Sequence, residues 1–263
     1  QGEVFGFLGP NGAGKTTTIR QLMGFLAPDS GTCTINGLDC RTQTAAIQKN
    51  MGYIPGEPAL PDDMRGGEFI RFLAAYRGMR GTGRAGELCE RFELDASGRI
   101  RRMSKGMKQK VAIVCALMHD PAVLILDEPT SGLDPLMQNR FVELVLEEKA
   151  RGKTILMSSH ITSDLEKIAD YIVCIDAGRI VFAVEKDTIT DLAGIAHCRA
   201  TDYERIAKSG FFAPGELRSM RHPYGIDVLA PDRFAFAENF KNIAVDKADI
   251  DVYMGMMLKG EVR

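Results

Sequence analysis

The sequence predicts an α/β fold, a largely parallel sheet with helices on both faces, followed by a small α+β module. Three observations carry that expectation. Continuous apolar runs bounded by turn residues lie at 4–8, 123–126, 154–157 and 172–175, and strands that lack polar alternation are those buried on both faces. Stretches with helical spacing separate them, at 16–25, 66–76, 107–118, 137–150 and 163–169, which is the alternation of a layered α/β domain. From 196 to 245 the order changes to strand, helix, two strands, helix, strand, with His222-Pro223-Tyr224-Gly225 turning between the middle pair. That order belongs to a ferredoxin-like module.

The chain of 263 residues is long enough for two units at roughly 150 residues per domain. The boundaries expected are 1–190 for the main domain and 191–263 for the module. Inside the main domain a helical insert spans about 57–120, and its first part, 57–103, has few strand signals and nine arginines. A formal net charge of −2 gives no overall basic field, so nucleic acid is not an expected partner. Six cysteines without a CxxC pair read as reduced, buried thiols of a cytosolic protein. No run approaches the roughly 20 apolar residues of a membrane helix, and no signal peptide opens the chain. Any pore would therefore be another chain. The sequence opens directly on the strand 3–8, which leads us to expect a segment before Gln1.

Gly9-Pro10-Asn11-Gly12-Ala13-Gly14-Lys15-Thr16 follows an apolar strand and opens a helix, the setting that a P-loop requires. Glycines let the backbone turn its N–H groups onto a phosphate, and the helix start adds about half a positive charge. Lys15 is expected to reach the β and γ phosphates of a nucleotide, the Thr16 hydroxyl to ligate Mg²⁺, and Thr17 to donate to an α or β phosphate oxygen. Val123-Leu124-Ile125-Leu126-Asp127-Glu128 is an apolar strand that ends in two carboxylates at the ligand-binding edge of such a sheet. Asp127 is the expected partner of the Mg²⁺ hydration shell and Glu128 the group that polarises an attacking water. The plainer reading, two carboxylates that cap the turn at Pro129, weakens once a P-loop lies upstream.

With the P-loop, Asp127-Glu128-Pro129-Thr130-Ser131-Gly132-Leu133-Asp134 and Ser158-Ser159-His160 in this order, the chain resembles the ABC ATPase family. Met103-Ser104-Lys105-Gly106-Met107-Lys108-Gln109 is similar to that family's signature motif, in the variant of subunits resembling bacterial ABC-2 type exporters. A serine hydroxyl and the N–H groups at a helix start form a second anion site. The resemblance implies that Ser104, Lys105, Gly106, Met107, Lys108 and Gln109 bind the ATP held by a partner cassette, so that two chains pair head to tail as a homodimer or a paralogue heterodimer. Ser104 can also serve as an ordinary helix N-cap, and the two roles share one geometry. The resemblance further implies a switch histidine at His160, which would hold the γ-phosphate and the attacking water, and a D-loop aspartate at Asp134 on the dimer seam. ATP and Mg²⁺ are the implied ligands. A transmembrane permease is the implied partner, with the chain cytoplasmic and peripheral on the inner face of the plasma membrane. His119, His197 and His222 match nothing and read as structural or surface residues.

The sequence also departs from the family. A glutamine usually stands where Met51-Gly52-Tyr53-Ile54-Pro55-Gly56-Glu57 has Gly56, and glycine has no side chain to touch metal; Glu57 is the neighbouring substitute. The aromatic residue that stacks on adenine lies upstream of the P-loop and has no counterpart here. Phe69, Ile70, Phe72, Leu73 and Tyr76 repeat at helical spacing in the insert, which fits either its own core or a groove for a short helix of the permease. Rival readings are weaker. A chromosome-maintenance or repair ATPase needs a long coiled coil before the signature, a translation factor of the family needs two cassettes, and a P-loop GTPase or small-molecule kinase lacks the signature. A degenerate regulatory cassette remains the alternative.

Overall fold

The computed structural model describes residues 2–159 and 161–263, and the chain divides into two compact units, Gln1–His160 and Ile161–Arg263. The boundary drawn from sequence, 190/191, lies inside the second.

The first unit is built on four parallel strands: β1 (Val4–Leu8), the edge strand β4 (Met51–Ile54), β5 (Val123–Asp127) and β6 (Thr154–Ser158), in the order β4-β5-β6-β1. Val4, Leu8, Ile54, Leu124, Ile125, Leu126, Ile155 and Met157 are buried, as their unbroken apolar runs require. The register pairs Asp127 with Ser158 and Phe7 with Ser158. The C-terminal ends of β1, β5 and β6 therefore lie side by side. Helix α1 (Lys15–Leu22) is shorter than the periodicity predicts, because the chain turns at Gly24, which holds φ 71. A small hairpin of β2 (Thr34–Ile35) and β3 (Leu38–Asp39) closes through Asn36 and Gly37 at φ 51 and 76, the left-handed pair that an Asn-Gly turn supplies. Helix α2 (Thr44–Lys49) leads into β4. The insert holds α3 (Gly66–Tyr76), at the bounds predicted, and α4 (Gly83–Arg91), which periodicity did not resolve.

Helix α5 (Lys105–Leu117) begins two residues before the sequence estimate because Ser104 caps it, its hydroxyl accepting from the Met107 N–H at 3.2 Å. Helix α6 (Pro135–Ala150) likewise starts early. Asp134 is its N-cap, accepting from the Met137 N–H at 3.1 Å, and Pro135 takes the first helical position, where a missing N–H is harmless.

The second unit opens with α7 (Thr162–Ile168) and an antiparallel hairpin of β7 (Tyr171–Asp176) and β8 (Arg179–Glu185). The sequence marked only the first of these strands. Ala177 and Gly178 turn between them at φ 45 and 76. A π-turn at Thr188–Leu192 then precedes β9 (Gly194–Cys198), α8 (Ala200–Lys208), β10 (Arg218–His222), β11 (Gly225–Ala230), α9 (Arg233–Asn239) and β12 (Val245–Lys247). The antiparallel order β12-β9-β11-β10 is the ferredoxin-like arrangement expected from the sequence. Helix α10 (Ile250–Lys259) and β13 (Glu261–Val262) complete the unit. Tyr203, Ile206, Val228, Phe236 and Phe240 are buried in one cluster and Ile195, Leu229 and Met256 in another. Among the described residues no helix is long and apolar enough to cross a membrane.

Cross-strand charge pairs decorate this sheet. His197 on β9 faces Asp227 on β11, Nδ1 to Oδ1 2.8 Å, and Asp246 on β12, Nε2 to Oδ2 3.3 Å, while His222 reaches the other oxygen of Asp227 at 3.0 Å. The Asp227 hydrogen bond, against the opposing effect of burial, holds the His197 imidazole above its ordinary value of 6.5. A raised folded-state value means stability that is complete below about 6.5 and lost as pH rises through the folded value. The melting temperature of the chain minus that of His197→Gln is therefore expected to shrink as pH rises from about 6 to 8. Thermal melts at matched ionic strength read it, and a difference independent of pH would refute the assignment.

Candidate functional site

The P-loop occupies the gap between β1 and α1. Gly12 and Gly14 hold φ 80 and 112, conformations closed to most residues with a Cβ. The Ala13 N–H donates to the Pro10 carbonyl at 3.1 Å. The Lys15 ammonium folds over the loop, donating to the carbonyls of Gly9 at 2.6 Å and Pro10 at 3.2 Å.

The two strand ends meet at Asp127. This carboxylate is only 5% exposed and is held from both sides. Ser158 Oγ donates to Oδ1 at 2.5 Å, and Thr16 Oγ1 donates to Oδ2 at 3.4 Å. Ser158 also fixes the next residue, since the Glu128 N–H reaches both the Ser158 carbonyl at 3.1 Å and its hydroxyl at 3.2 Å. Glu128 sits at φ 48, a left-handed conformation that a non-glycine residue keeps only when its surroundings over-determine it. A hydroxyl and a buried carboxylate within 3.4 Å are hard oxygen donors. They suit Mg²⁺, which takes one or two protein oxygens and completes its shell with water and phosphate.

The P-loop, Asp127 and Glu128 wall a cleft of about 940 Å³ that also meets Arg20, Tyr53, Gly56, Glu57, Lys105 and Ser131, with Ser158 buried behind Asp127. Burial, and then the nearby Asp127 charge, push the Tyr53 phenol above its usual value. A Cβ at Gly56 would stand 3.6 Å from the Asp127 carbonyl and 3.8 Å from Asp127 Oδ2. Position 56 thus lies against Asp127, and a Cβ there would meet it at ordinary van der Waals distance without a clash.

The residues expected to act in trans divide. Ser104 caps α5 with its hydroxyl at the surface, Met107 supplies the N–H it holds, and Gly106 packs on the Gly132 backbone. Lys105 lines the cleft of its own chain. Lys108 pairs with Asp62 at 3.3 Å. Gln109 is fully buried with its amide on the Pro129 carbonyl, away from the surface. Asp134 is engaged as the cap of α6. His160 lies outside the described residues. His119, left without a role, is a half-buried ring whose Nε2 lies 3.2 Å from the Met51 carbonyl and whose partial burial lowers its pKa to about 4. Sequence reasoning missed Ser158, Tyr53 and Arg20. Ser158 had a signal, as the polar residue that ends an apolar strand in register with Asp127.

The ABC transporter family profile matches residues 1–131. The ABC transporter ATP-binding protein NatA of Bacillus subtilis is 38% identical over 188 residues, 69% of this chain and 76% of that protein. This chain belongs to the ABC transporter family. It is one of the family's ATP-binding subunits, an ATPase by class. The Nod factor export ATP-binding protein I of Rhizobium etli is 31% identical over 252 residues, covering 93% of this chain and 77% of that protein. The chain spans 60% of the length of several other Nod factor export proteins. A solved structure described as the ATP-binding subunit of an ABC transporter superposes with a TM-score of 0.68 at 36% identity, over 72% of this chain and 80% of that one.

Proposed function

We propose that the cleft binds MgATP and hydrolyses its γ-phosphate while the chain is paired head to tail with a second cassette, and that the cycle drives a separate transmembrane permease, in the direction of export. The observation that carries the proposal is the convergence of Thr16, Asp127 and Ser158 beside the P-loop. In this reading the N–H groups of Gly12 to Thr16 and the Lys15 ammonium hold the β and γ phosphates. Lys15 would exchange the carbonyls of Gly9 and Pro10 for phosphate oxygens, and Thr17 would donate to an α or β phosphate. Thr16 and Asp127 would hold Mg²⁺, which supplies charge neutralisation at the phosphates. Glu128 accepts a proton as water attacks the γ-phosphorus, and the bond to the bridging oxygen breaks to leave ADP and phosphate. His160 would fix that water.

The exposed face of Ser104 and the start of α5 would cap the partner's γ-phosphate, with Asp134 near the seam. Gly56, opposite Asp127 with no side chain to offer, leaves Glu57 as the nearest group that could report nucleotide state to the permease. Exposed Phe72 and Tyr76 on α3, whose rings stack at 6.5 Å, fit a contact for that permease. The Nod factor export relatives support the export direction, and a permease partner would give the chain a peripheral place on the inner membrane face.

Equilibrium binding of a fluorescent ATP analogue tests the cleft. Lys15→Ala is expected to weaken binding about tenfold or more, as loss of a charge-assisted phosphate contact does. Equal affinity in both proteins would remove the P-loop from the reading.

A further inference from the structure

Two contacts that the nucleotide reading does not use fasten α5 to the turn after Glu128. The Gln109 side chain is 0% exposed, and its Nε2 donates to the carbonyl of Pro129, the residue after Glu128, at 2.8 Å. At the start of the same helix a Cβ on Gly106 would stand 2.5 Å from the Gly132 carbonyl oxygen. The two backbones therefore touch where only glycine fits. Both ends of the turn 129–132 are thus held against α5.

Packing alone gives no reason for an amide here. Val111, Ala112, Ile113 and Val114 of the same helix are buried and apolar. Gln109 Oε1 is buried with no hydrogen-bond partner among the described residues. An acceptor stranded in this way is unfavourable, and a methionine would fill the same space without it. What the amide adds is one donor aimed at one carbonyl beside Glu128.

We propose that Gln109 is a positioning residue for ATP hydrolysis: its hydrogen bond to Pro129 locks the Glu128 turn to the start of α5, so that Glu128 and the Ser104 helix cap move as one body. The inference rests on the reading of the cleft given above and deepens it. Glu128 holds φ 48, and the tie at Pro129 is one of the contacts that keep it there. A phosphate that reaches the Ser104 end of α5 is then felt at the same chain's own Glu128.

Steady-state ATP hydrolysis by the full chain, measured against MgATP concentration, tests this with Gln109→Met and Gln109→Glu and with Lys15→Ala as control. Gln109→Met removes the donor and keeps the volume, so kcat is expected to fall about tenfold while KM stays within about twofold. In Gln109→Glu the buried carboxyl has a raised pKa. Protonated, it offers an O–H to the Pro129 carbonyl; ionised, it offers nothing. The activity of Gln109→Glu relative to the unmodified chain is therefore expected to recover as pH falls from about 8 to 6, a response that a packing role would not give. A Gln109→Met kcat within about twofold of the unmodified chain, or a Gln109→Glu ratio flat with pH, overturns the inference.

If the variants do not fold, hydrogen exchange on the unmodified chain decides. The Ser131 and Leu133 amides, bonded to Glu128 and Thr130, and the Met107 and Lys108 amides, bonded to Ser104, are expected to slow together when MgATP is added. Protection of one set without the other overturns the tie. An unmodified chain that does not hydrolyse ATP, or a Lys15→Ala chain that hydrolyses it equally fast, overturns the reading of the cleft and the inference with it.

Discussion

In the Glu128→Gln protein, ATP turnover is expected to fall by a factor of about 10² to 10⁴ while MgATP binding is retained, because the amide keeps the shape of the carboxylate and loses its basicity. The local frame should survive the change. The Glu128 N–H is held by the Ser158 carbonyl and hydroxyl, contacts that do not involve the side chain being changed. Asp127 keeps its partners Thr16 and Ser158, so the groups proposed for Mg²⁺ are untouched. With hydrolysis blocked, the nucleotide sandwich should persist, and sedimentation with and without MgATP should show an ATP-dependent dimer. Turnover within a few-fold of the unmodified chain would take the base role from Glu128. Loss of turnover without dimer formation would keep that role and count against nucleotide binding in trans by the Ser104 helix start.

The parts of this protein that were legible in its sequence are those set by short-range chemistry. The P-loop, the strand that ends in Asp127 and Glu128, and the serine before α5 are contiguous strings whose geometry follows from glycine freedom, apolar runs and capping. The ferredoxin-like order was readable for the same reason, each strand being bounded by turn residues. What escaped depends on partners distant in the chain. Gln109 was grouped with the trans-acting residues because it is adjacent to them, yet one further turn into α5 buries it against Pro129, 20 residues away. Ser158 shows its use only when register sets it beside Asp127. Strand β8 was passed over although Ile180 to Val184 is an apolar run; only Phe182 of it is buried, so it is not one of the strands buried on both faces that such runs usually mark. The capping residues moved α5 and α6 earlier than periodicity placed them, since periodicity counts buried apolar positions, and α5 opens on Lys105 and Gly106 while α6 opens on Pro135 and the exposed Leu136.

Glu148→Met is expected to destabilise the first unit by about 3 kcal/mol, the usual consequence of removing one member of a buried ion group. Glu148 on α6 is 2% exposed and receives Arg84 of α4 at 2.6 Å, Arg151 at 3.1 Å and Lys153 at 2.5 Å. Asp120, which follows α5, takes Arg84 at 2.7 Å and also pairs with Lys153. No single string of sequence contains this network. Its members come from the insert, the turn before β5, helix α6 and the turn before β6, and together they join the insert to the sheet layer. Methionine in place of Glu148 would leave the largely buried Lys153 with only the half-exposed Asp120 to face. The melting temperature should drop by roughly 6–12 °C, at about 2–4 °C per kcal/mol for a unit of this size. The paired variant Glu148→Met with Lys153→Met should recover part of the loss, because it leaves no uncompensated buried cation. Thermal melts of the two variants read the coupling directly. A single-variant loss under about 1 kcal/mol would mean that water screens the group, and that apolar packing of α4 and α5 alone holds the insert on the core.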